Sequence, residues 1–418
     1  MKILDLCEFY SQRGGGVRSY LTKLFRAAGE AGHEVVVVAP GPRDEELHDE
    51  GGRIVRYRAP SMPYDPTYHW PWRIDRMREV VLRERPDVLQ VSSPFLPMLV
   101  APSLRRALAR AGHRPLLAYV YHSDPVGCYL RPAVRRAFGR GRMADVAMAP
   151  GWAWMRAVSA SADVTVVAGH WLERLLKQHG CQRVVTVPFG ITHEDFGPHH
   201  RDLNFRSDVL GPLAQDLRAR LVLIAGRLAF DKRQRLVVEG LLRVARRRPV
   251  ALVVLGDGPE RARLEALASG LPRSIFLKFT RNREEYARVL ASVDALVHGS
   301  QCETYGFVLA EALASGTPVV LPDEGGATVF ADPAASESYP WDGGPEAVAA
   351  AAERLFQRDP AALRVAAERV GRAQPHLREH FRNLFSLYEG RWAGEGETST
   401  GPAGRPPHRG AGATPARR

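Results

Sequence analysis

Cysteine is scarce in this sequence: Cys7, Cys128, Cys181 and Cys302 are spread over 418 residues with no C-x-x-C pair. Neither a disulfide framework nor a thiolate zinc site is expected, and the thiols read as reduced and mostly buried. Long apolar runs are lacking too. The longest, such as 35–39 and 251–255, have the length of a buried strand and fall far short of the ~20 residues that span a bilayer. The opening residues place Asp5 inside a brief apolar run, which does not read as a signal peptide, so a cytoplasmic protein is expected. No Asp-x-Asp pair occurs, so a metal-bridged diphosphate site has no candidate ligands, and neither a metal nor a cofactor is expected. Zinc-finger, basic-zipper and RNA-recognition patterns are also missing, which argues against nucleic acid as a partner despite a formal charge of +12.

What is present suits a soluble protein with more than one core. The chain is 45% hydrophobic and 25% charged, and its length exceeds what a single core usually holds. Apolar runs at 2–7, 34–39, 88–91, 115–121, 163–167 and 184–187 alternate with amphipathic stretches at 17–30, 73–85 and 97–111. A second series, at 221–225, 250–255, 274–278, 295–298 and 318–321, repeats the rhythm. Helical patterns at 345–357, 360–372 and 375–392 close it. This predicts an α/β chain with two parallel sheets covered by helices. The expected division is a first domain over 1–192, a polar linker or hinge over 193–220, a second domain over 221–372, a closing helix over 373–393 that returns to the first domain, and a disordered basic tail over 394–418. The stretch 131–142 mixes five arginines with Val134, Ala137 and Phe138. It reads either as a solvated helix face or as a helix lying on anionic lipid, a peripheral membrane contact. Trp70, Trp72, Trp152 and Trp154 either fill the core, the simpler reading, or stack on sugars.

The strongest motif runs from Glu303 through Gly306 and Phe307 to Glu311, and Gly316 stops it before the next apolar run. Read as one helix, it carries two glutamates eight positions apart, about 12 Å along the axis. That spacing suits an extended ligand better than a single reacting bond, and backbone N–H groups near Gly306 and Phe307 would face an anion between them. Upstream, Asp231 reads as an N-cap, which would put Lys232, Arg233 and Arg235 in a helix's first turn, where the macrodipole disfavours cations. A bound anion would offset that cost. The glycines of Gly256-Asp257-Gly258-Pro259 follow a strand and would let a ligand approach the backbone, or they form a plain strand-to-helix turn.

With E-x7-E in this setting, the chain resembles the GT-B retaining glycosyltransferases of family 4. Further matching passages are Gly226-Arg227-Leu228 with Lys232, the G-x-G-P turn at Gly256 and Gly258, the glycine pair Gly325-Gly326, the G-G-V loop at Gly15-Gly16-Val17, and His122 at a strand end. The resemblance implies two Rossmann-like domains facing across a cleft, with a nucleotide diphosphate sugar, UDP- or GDP-linked, as donor. Glu303 would approach the donor sugar and Glu311 the ribose hydroxyls, Arg227 and Lys232 would grip the diphosphate, and His122 would contact the sugar. Gly15, Gly16, Gly256, Gly258, Gly306 and Phe307 complete the implied donor site, and Asp124 is a candidate to receive the acceptor proton by proximity alone. Three departures stand out: Thr192 replaces an aspartate, Gly169-His170 replaces a serine, and Ala327-Thr328-Val329 stands where a glutamate is usual.

The expected reaction is transfer of a hexosyl group, with retention, to a hydroxyl of a glycan, glycolipid or lipid-linked acceptor. Glu303 and Glu311 lie too far apart to act as the pair of a retaining hydrolase, whose carboxyl groups sit about 5 Å apart. A nucleotide-sugar epimerase of the same architecture and a non-catalytic nucleotide-sugar binding protein are the competing readings.

Overall fold

The computed structural model describes residues 1–394 apart from 11–15, 50, 64, 140, 279, 281 and 301; of 391–394 the backbone alone is described. Gly15 and the expected tail beyond Gly394 therefore lie outside the described residues. In the first half the strands are β1 (Lys2–Leu6), β2 (Glu34–Gly41), β3 (Glu45–Asp49), β4 (Gly52–Arg58), β5 (Ser61–Met62), β6 (Asp65–His69), β7 (Val88–Val91), β8 (Leu116–Val120), β9 (Val164–Val167) and β10 (Val184–Thr186). The helices are α1 (Gly16–Glu30), α2 (Ile74–Glu84), α3 (Leu96–Arg110), α4 (Arg131–Phe138), α5 (Arg142–Ser161) and α6 (His170–Gln178). The second half adds α7 (Leu203–Leu210), β11 (Arg220–Ala225), α8 (Gln234–Val244), β12 (Val250–Leu255), α9 (Arg261–Ala268), β13 (Arg273–Leu277), α10 (Arg283–Ser292) and β14 (Ala295–Val297). It closes with α11 (Phe307–Ala314), β15 (Val319–Pro322), β16 (Ser336–Tyr339), α12 (Pro345–Phe356), α13 (Pro360–Arg372) and α14 (Leu377–Gly394).

Most of the apolar runs become strands buried on both faces, as helices packed on either side of a parallel sheet require, while the edge strands β10 and β13 are only partly buried. The first sheet has the order β10-β9-β8-β7-β1-β2-β4-β3, parallel except for β3, which pairs antiparallel to β4 at the edge. The second has the order β13-β12-β11-β14-β15-β16 and is parallel throughout. Both are doubly wound, and each reverses its strand order once: between β1 and β7 in the first sheet, between β11 and β14 in the second. In such sheets the crevice beyond the carboxyl ends of the strands at the reversal is where ligands bind.

The segment 45–69 did not read as strands because its apolar residues do not alternate; β3 has Leu47 alone among four polar residues, and β5 and β6 form a short antiparallel hairpin. The basic stretch 131–142 is not one helix. Gly139 takes φ +67° and ends α4, and α5 starts at Arg142.

The chain crosses back late. Ile191 N–H donates to Pro375 O at 3.1 Å and Leu377 N–H to Ile191 O at 3.0 Å, so α14 emerges under the first sheet and packs against α1. Its buried Phe381, Leu384, Phe385 and Tyr388 join the core around Tyr20, Leu24 and Phe25. Tyr388 Oη donates to Gln90 Oε1 at 2.8 Å, both fully buried. Replacing Tyr388 with Phe leaves that acceptor unsatisfied. Chemical denaturation is expected to register a loss of about 1–3 kcal/mol with the m-value unchanged.

Candidate active site

The switch point of the second sheet brings together the loop after β11, carrying Arg227, and the loop after β14, carrying Glu303. Two glycines seat the first loop. A Cβ on Gly256 would meet Gly226 O at 2.0 Å and one on Gly258 would meet Leu228 O at 2.3 Å, so the 256–258 turn lies directly against the backbone on either side of Arg227. The second loop is seated by Gly326, whose N–H donates to Glu303 O at 2.9 Å and whose Cβ would stand 2.1 Å from that oxygen. Gly299 likewise admits the backbone of Lys232 and Arg233.

On this frame Lys232 Nζ donates to Glu303 Oε1 at 2.7 Å, and His298 Nε2 lies 3.3 Å from the same oxygen. Burial alone would raise the Glu303 carboxyl, but Lys232 and His298 overcome it and hold the group well below the usual carboxylate range. Lys232 is held above its ordinary value, against its own burial, by Glu303 and Asp231. Arg227 spans the space between the sheets: Nη1 donates to Asp65 at 3.1 Å, Nη2 donates to Asp231 at 3.2 Å, and the guanidinium lies 5.2 Å from the centre of the Tyr68 ring.

Two local expectations are corrected here. Glu303 is not on the helix: Gly306 adopts φ +92°, α11 begins at Phe307, and Glu303 sits in the loop before it, while Glu311 is buried within α11. Asp231 is not an N-cap. It lies in a short 3-10 turn, Phe230–Lys232, after which Arg233 takes φ +50° and α8 starts at Gln234. Lys232 is therefore outside the helix, neutralised by a carboxylate, and Arg235 is spent on Glu239.

Glu311 belongs to a separate cluster. Tyr286 Oη donates to it at 2.7 Å and Arg283 Nη1 stands 4.0 Å away. Burial raises its carboxyl; Lys23 on α1 and Arg283 pull the other way. Arg283 in turn pairs with Asp195 at 2.8 Å.

His122 lies between Tyr20 and Phe189, with ring centres at 4.7 and 5.9 Å, and its Nε2 is buried without a hydrogen-bond partner. Thr304, next to Glu303, donates to His122 O at 3.2 Å, so this strand end and the Glu303 loop touch across the cleft. Phe307 stacks on the other neighbour, Phe189, at 5.4 Å. Gly16 is the first residue of α1. Asp124 faces away from this cluster, accepting from Tyr121 Oη and Gly127 N–H at 2.9 Å each. Asp65, Tyr68, His298, Tyr286 and Lys23 carried no motif in the sequence and emerge as neighbours of the site only in three dimensions.

A cavity of about 690 Å³ opens between α4, α5 and α6 on one side and Glu324 and Gly325 on the other. Arg131 donates to Glu324 at 2.7 Å across it, and Arg131 and Arg135 lie 5.1 and 4.8 Å from the Trp341 ring. Among the described residues no group of three or more His, Cys, Asp or Glu is placed to hold a metal ion, and no helix is long and apolar enough to cross a membrane.

Two doubly wound sheets facing one another, with cations and a glutamate at the second switch point, define the GT-B architecture of nucleotide-sugar enzymes. The chain belongs to the family 4 glycosyltransferases: residues 14–195 match the family described as Glycosyltransferase Family 4, and 219–358 match Glycosyl transferases group 1. It is a glycosyltransferase. A GDP-mannose-dependent alpha-(1-6)-phosphatidylinositol dimannoside mannosyltransferase from Mycobacterium tuberculosis is 30% identical over 86% of this chain and 88% of its own. A GDP-mannose-dependent alpha-mannosyltransferase from Mycolicibacterium smegmatis is 31% identical over 78% and 80%. Among solved structures, sucrose-phosphate synthase from Thermosynechococcus elongatus superposes with a TM-score of 0.70 at 19% identity, covering 94% of this chain and 99% of that one. Anabaena HepE in complex with UDP-glucose gives 0.66 at 16%, covering 93% and 100%. These two establish the shared fold.

The enclosure of His122 has a consequence in solution. Burial lowers its imidazole to about 4 from an ordinary 6.5, so the unfolded chain takes up a proton near 6.5 and the folded chain does not until about 4. Stability contributed by the neutral ring is present above 6.5 and is lost as pH falls through that window. One proton corresponds to about 1.4 kcal/mol per pH unit. Urea titrations of the His122→Gln variant are expected to show a pH slope shallower by about that amount. His380, lowered to about 3 by burial, keeps its own share of the slope.

Proposed function

We propose that this enzyme transfers a hexosyl group, with retention, from a nucleotide diphosphate sugar to a hydroxyl of a glycolipid or lipid-linked glycan, and that the donor is GDP-mannose. The observation that carries the reading is the half-buried cluster of Arg227, Lys232 and Glu303 at the second switch point, in a chain of this family. The relatives named as GDP-mannose-dependent mannosyltransferases, one acting on a phosphatidylinositol dimannoside, support the choice of donor and acceptor.

On this reading the diphosphate takes the place of carboxylates. Arg227 and Lys232, held by Asp65, Asp231 and Glu303 in the free enzyme, turn toward the phosphate oxygens, where the guanidinium offers paired donors. The N-terminal end of α11, past Gly306 and Phe307, adds its dipole, so the leaving group's charge is stabilised by fixed cations and backbone in a closed cleft, with no role assigned to a metal or cofactor. Gly256 and Gly258 support the Arg227 loop, and Gly16 borders the phosphates from the first domain. Glu303 meets the sugar, as does His122 through its unpaired Nε2, and Glu311 takes the ribose hydroxyls. The acceptor hydroxyl enters on the face from which the diphosphate leaves, and a leaving phosphate oxygen takes its proton. Domains 1–192 and 221–372 close about 193–220 to align the two substrates and exclude water.

The acceptor's lipid would be met at the membrane surface by α4 and the start of α5, where Phe138, Met143 and Val146 are exposed beside Arg136 and Arg142. Co-sedimentation with anionic but not neutral vesicles, weakened by Met143→Asp, is the expected outcome.

The direct test is to incubate the purified enzyme with GDP-mannose or UDP-glucose and octyl α-D-mannopyranoside, with and without EDTA. Transfer from GDP-mannose, unaffected by EDTA, is expected. Arg227→Ala should lower kcat/KM by about 100-fold or more, the cost of losing a donor to the developing charge. A product of inverted anomeric configuration by NMR would sink the mechanism.

A further inference from the structure

The first sheet has its own switch point, between β1 and β7, and the crevice beyond it is a cavity of about 300 Å³ with a composition unlike the cation cluster opposite. That volume sits at the lower end of the range for small-ligand pockets. Glu8 and Phe9 follow β1, Phe95 follows β7, Trp70 and Trp72 follow β6, and Tyr129 lies in a π-helical turn, Val126–Leu130, ahead of α4; all six face the cavity. The aromatic residues are not simply core. Trp72 is 61% exposed and Tyr129 57%, whereas Glu8 at the cavity wall is 5% exposed. A buried carboxylate requires donors, and Ser93 Oγ supplies one at 2.5 Å.

A sheltered acceptor beside the exposed side chains of Trp72 and Tyr129 matches the two surfaces of a pyranose ring: C–H edges that pack on aromatic rings and hydroxyls that donate to a carboxylate. The pocket also adjoins the transfer site. The Phe9 ring meets Phe95 and Tyr68, each at 6.2 Å, and Tyr68 is the ring that lies against Arg227. We infer that the Glu8, Trp70, Trp72 and Tyr129 pocket binds a neutral sugar ring of the acceptor, so that the acceptor is itself glycosylated and its saccharide, not only its lipid, is recognised. This rests on the transferase reading above. A cation would also find aromatic faces and a carboxylate here, but the Arg227 guanidinium lies one ring away, against the Tyr68 that meets Phe9, and the chain carries a net charge of +12, which disfavour it.

Saturation-transfer-difference NMR with methyl α-D-mannopyranoside and methyl α-D-glucopyranoside, with and without GDP, tests the pocket on the full chain. Saturable transfer to ring protons of at least one glycoside is expected. The dissociation constant should rise about tenfold or more in Trp72→Ala and in Glu8→Gln, as expected for loss of a hydrogen bond to a charged group or of the stacking surface. If Glu8→Gln does not fold, Tyr129→Ala together with Trp72→Ala decides, since both residues are exposed. No binding of either glycoside, binding untouched by the variants, or preference for choline over both would overturn the inference. GDP binding, followed by thermal shift, is a separate readout: its loss in the wild type would overturn the donor reading, and the glycoside titration without GDP would still judge the pocket.

Discussion

The ion pair between Lys232 and Glu303 is the contact on which the site's construction depends. The two residues come from loops after β11 and β14, on either side of the reversal in strand order, and their carboxylate–ammonium contact of 2.7 Å fixes the distance between those loops. The two side chains are 26% and 16% exposed, and each keeps a second neighbour of opposite or hydrogen-bonding character, Asp231 at 4.0 Å from Lys232 and His298 at 3.3 Å from Glu303. The surrounding backbone is cut to allow it: Gly299 lies under Lys232, Gly326 under Glu303, and neither position has space for a Cβ. Tyr339 Oη, donating to His298 O at 2.7 Å, ties the strand end behind Glu303 to the end of the edge strand β16.

That pairing shapes how a donor would be accepted. Asp65, Asp231 and Glu303 outnumber Arg227 and Lys232 in the free enzyme. On the proposed reading a diphosphate would displace carboxylates from cations already in position, with little side-chain ordering left to be done. Asp65 has a further effect, because it reaches Arg227 from the first sheet. Along with Arg131 to Glu324, Trp171 to Thr304 and Thr304 to His122, it spans the cleft through a few polar contacts. Polar contacts of this kind suit surfaces that part and meet again. The apolar seam between α14 and α1 is the opposite case, a permanent junction built of Phe381, Phe385 and Tyr388. Part of the basic stretch belongs to this cross-cleft set: Arg131 and Arg135 are turned onto Trp341, and the charge they carry is used within the chain.

The buried parallel strands could be read in the sequence because their apolar runs have no other plausible place, and the E-x7-E passage because it combines a loop, a helix and a strand. The exact placement of its first glutamate could not. A helical period cannot tell that Gly306 turns left-handed and leaves Glu303 in the loop. Asp231 misled for a related reason: an N-cap needs the helix to start next to it, and the left-handed Arg233 delays α8. Asp65 and Tyr68 were invisible because they lie on a short hairpin without apolar alternation, far along the chain from the arginine they hold. The four tryptophans were ambiguous by composition. Trp152 stacks on His179 within the first core, whereas Trp72 stands in the open, and only the fold separates them.

The two sheets repeat one winding, and the residues beyond their switch points divide the work by chemistry. One crevice carries cations, a glutamate and glycines that admit close backbone contact, which suits a charged diphosphate. The other carries aromatic faces and one sheltered carboxylate, which suits a neutral ring. Tyr68 stands between them, with Arg227 on one side and Phe9 on the other. Each parallel sheet puts its crevice at its carboxyl edge, and the two edges face one another across the row of Arg227, Tyr68 and Phe9. The topology thus supplies proximity; the side chains decide which partner each crevice takes.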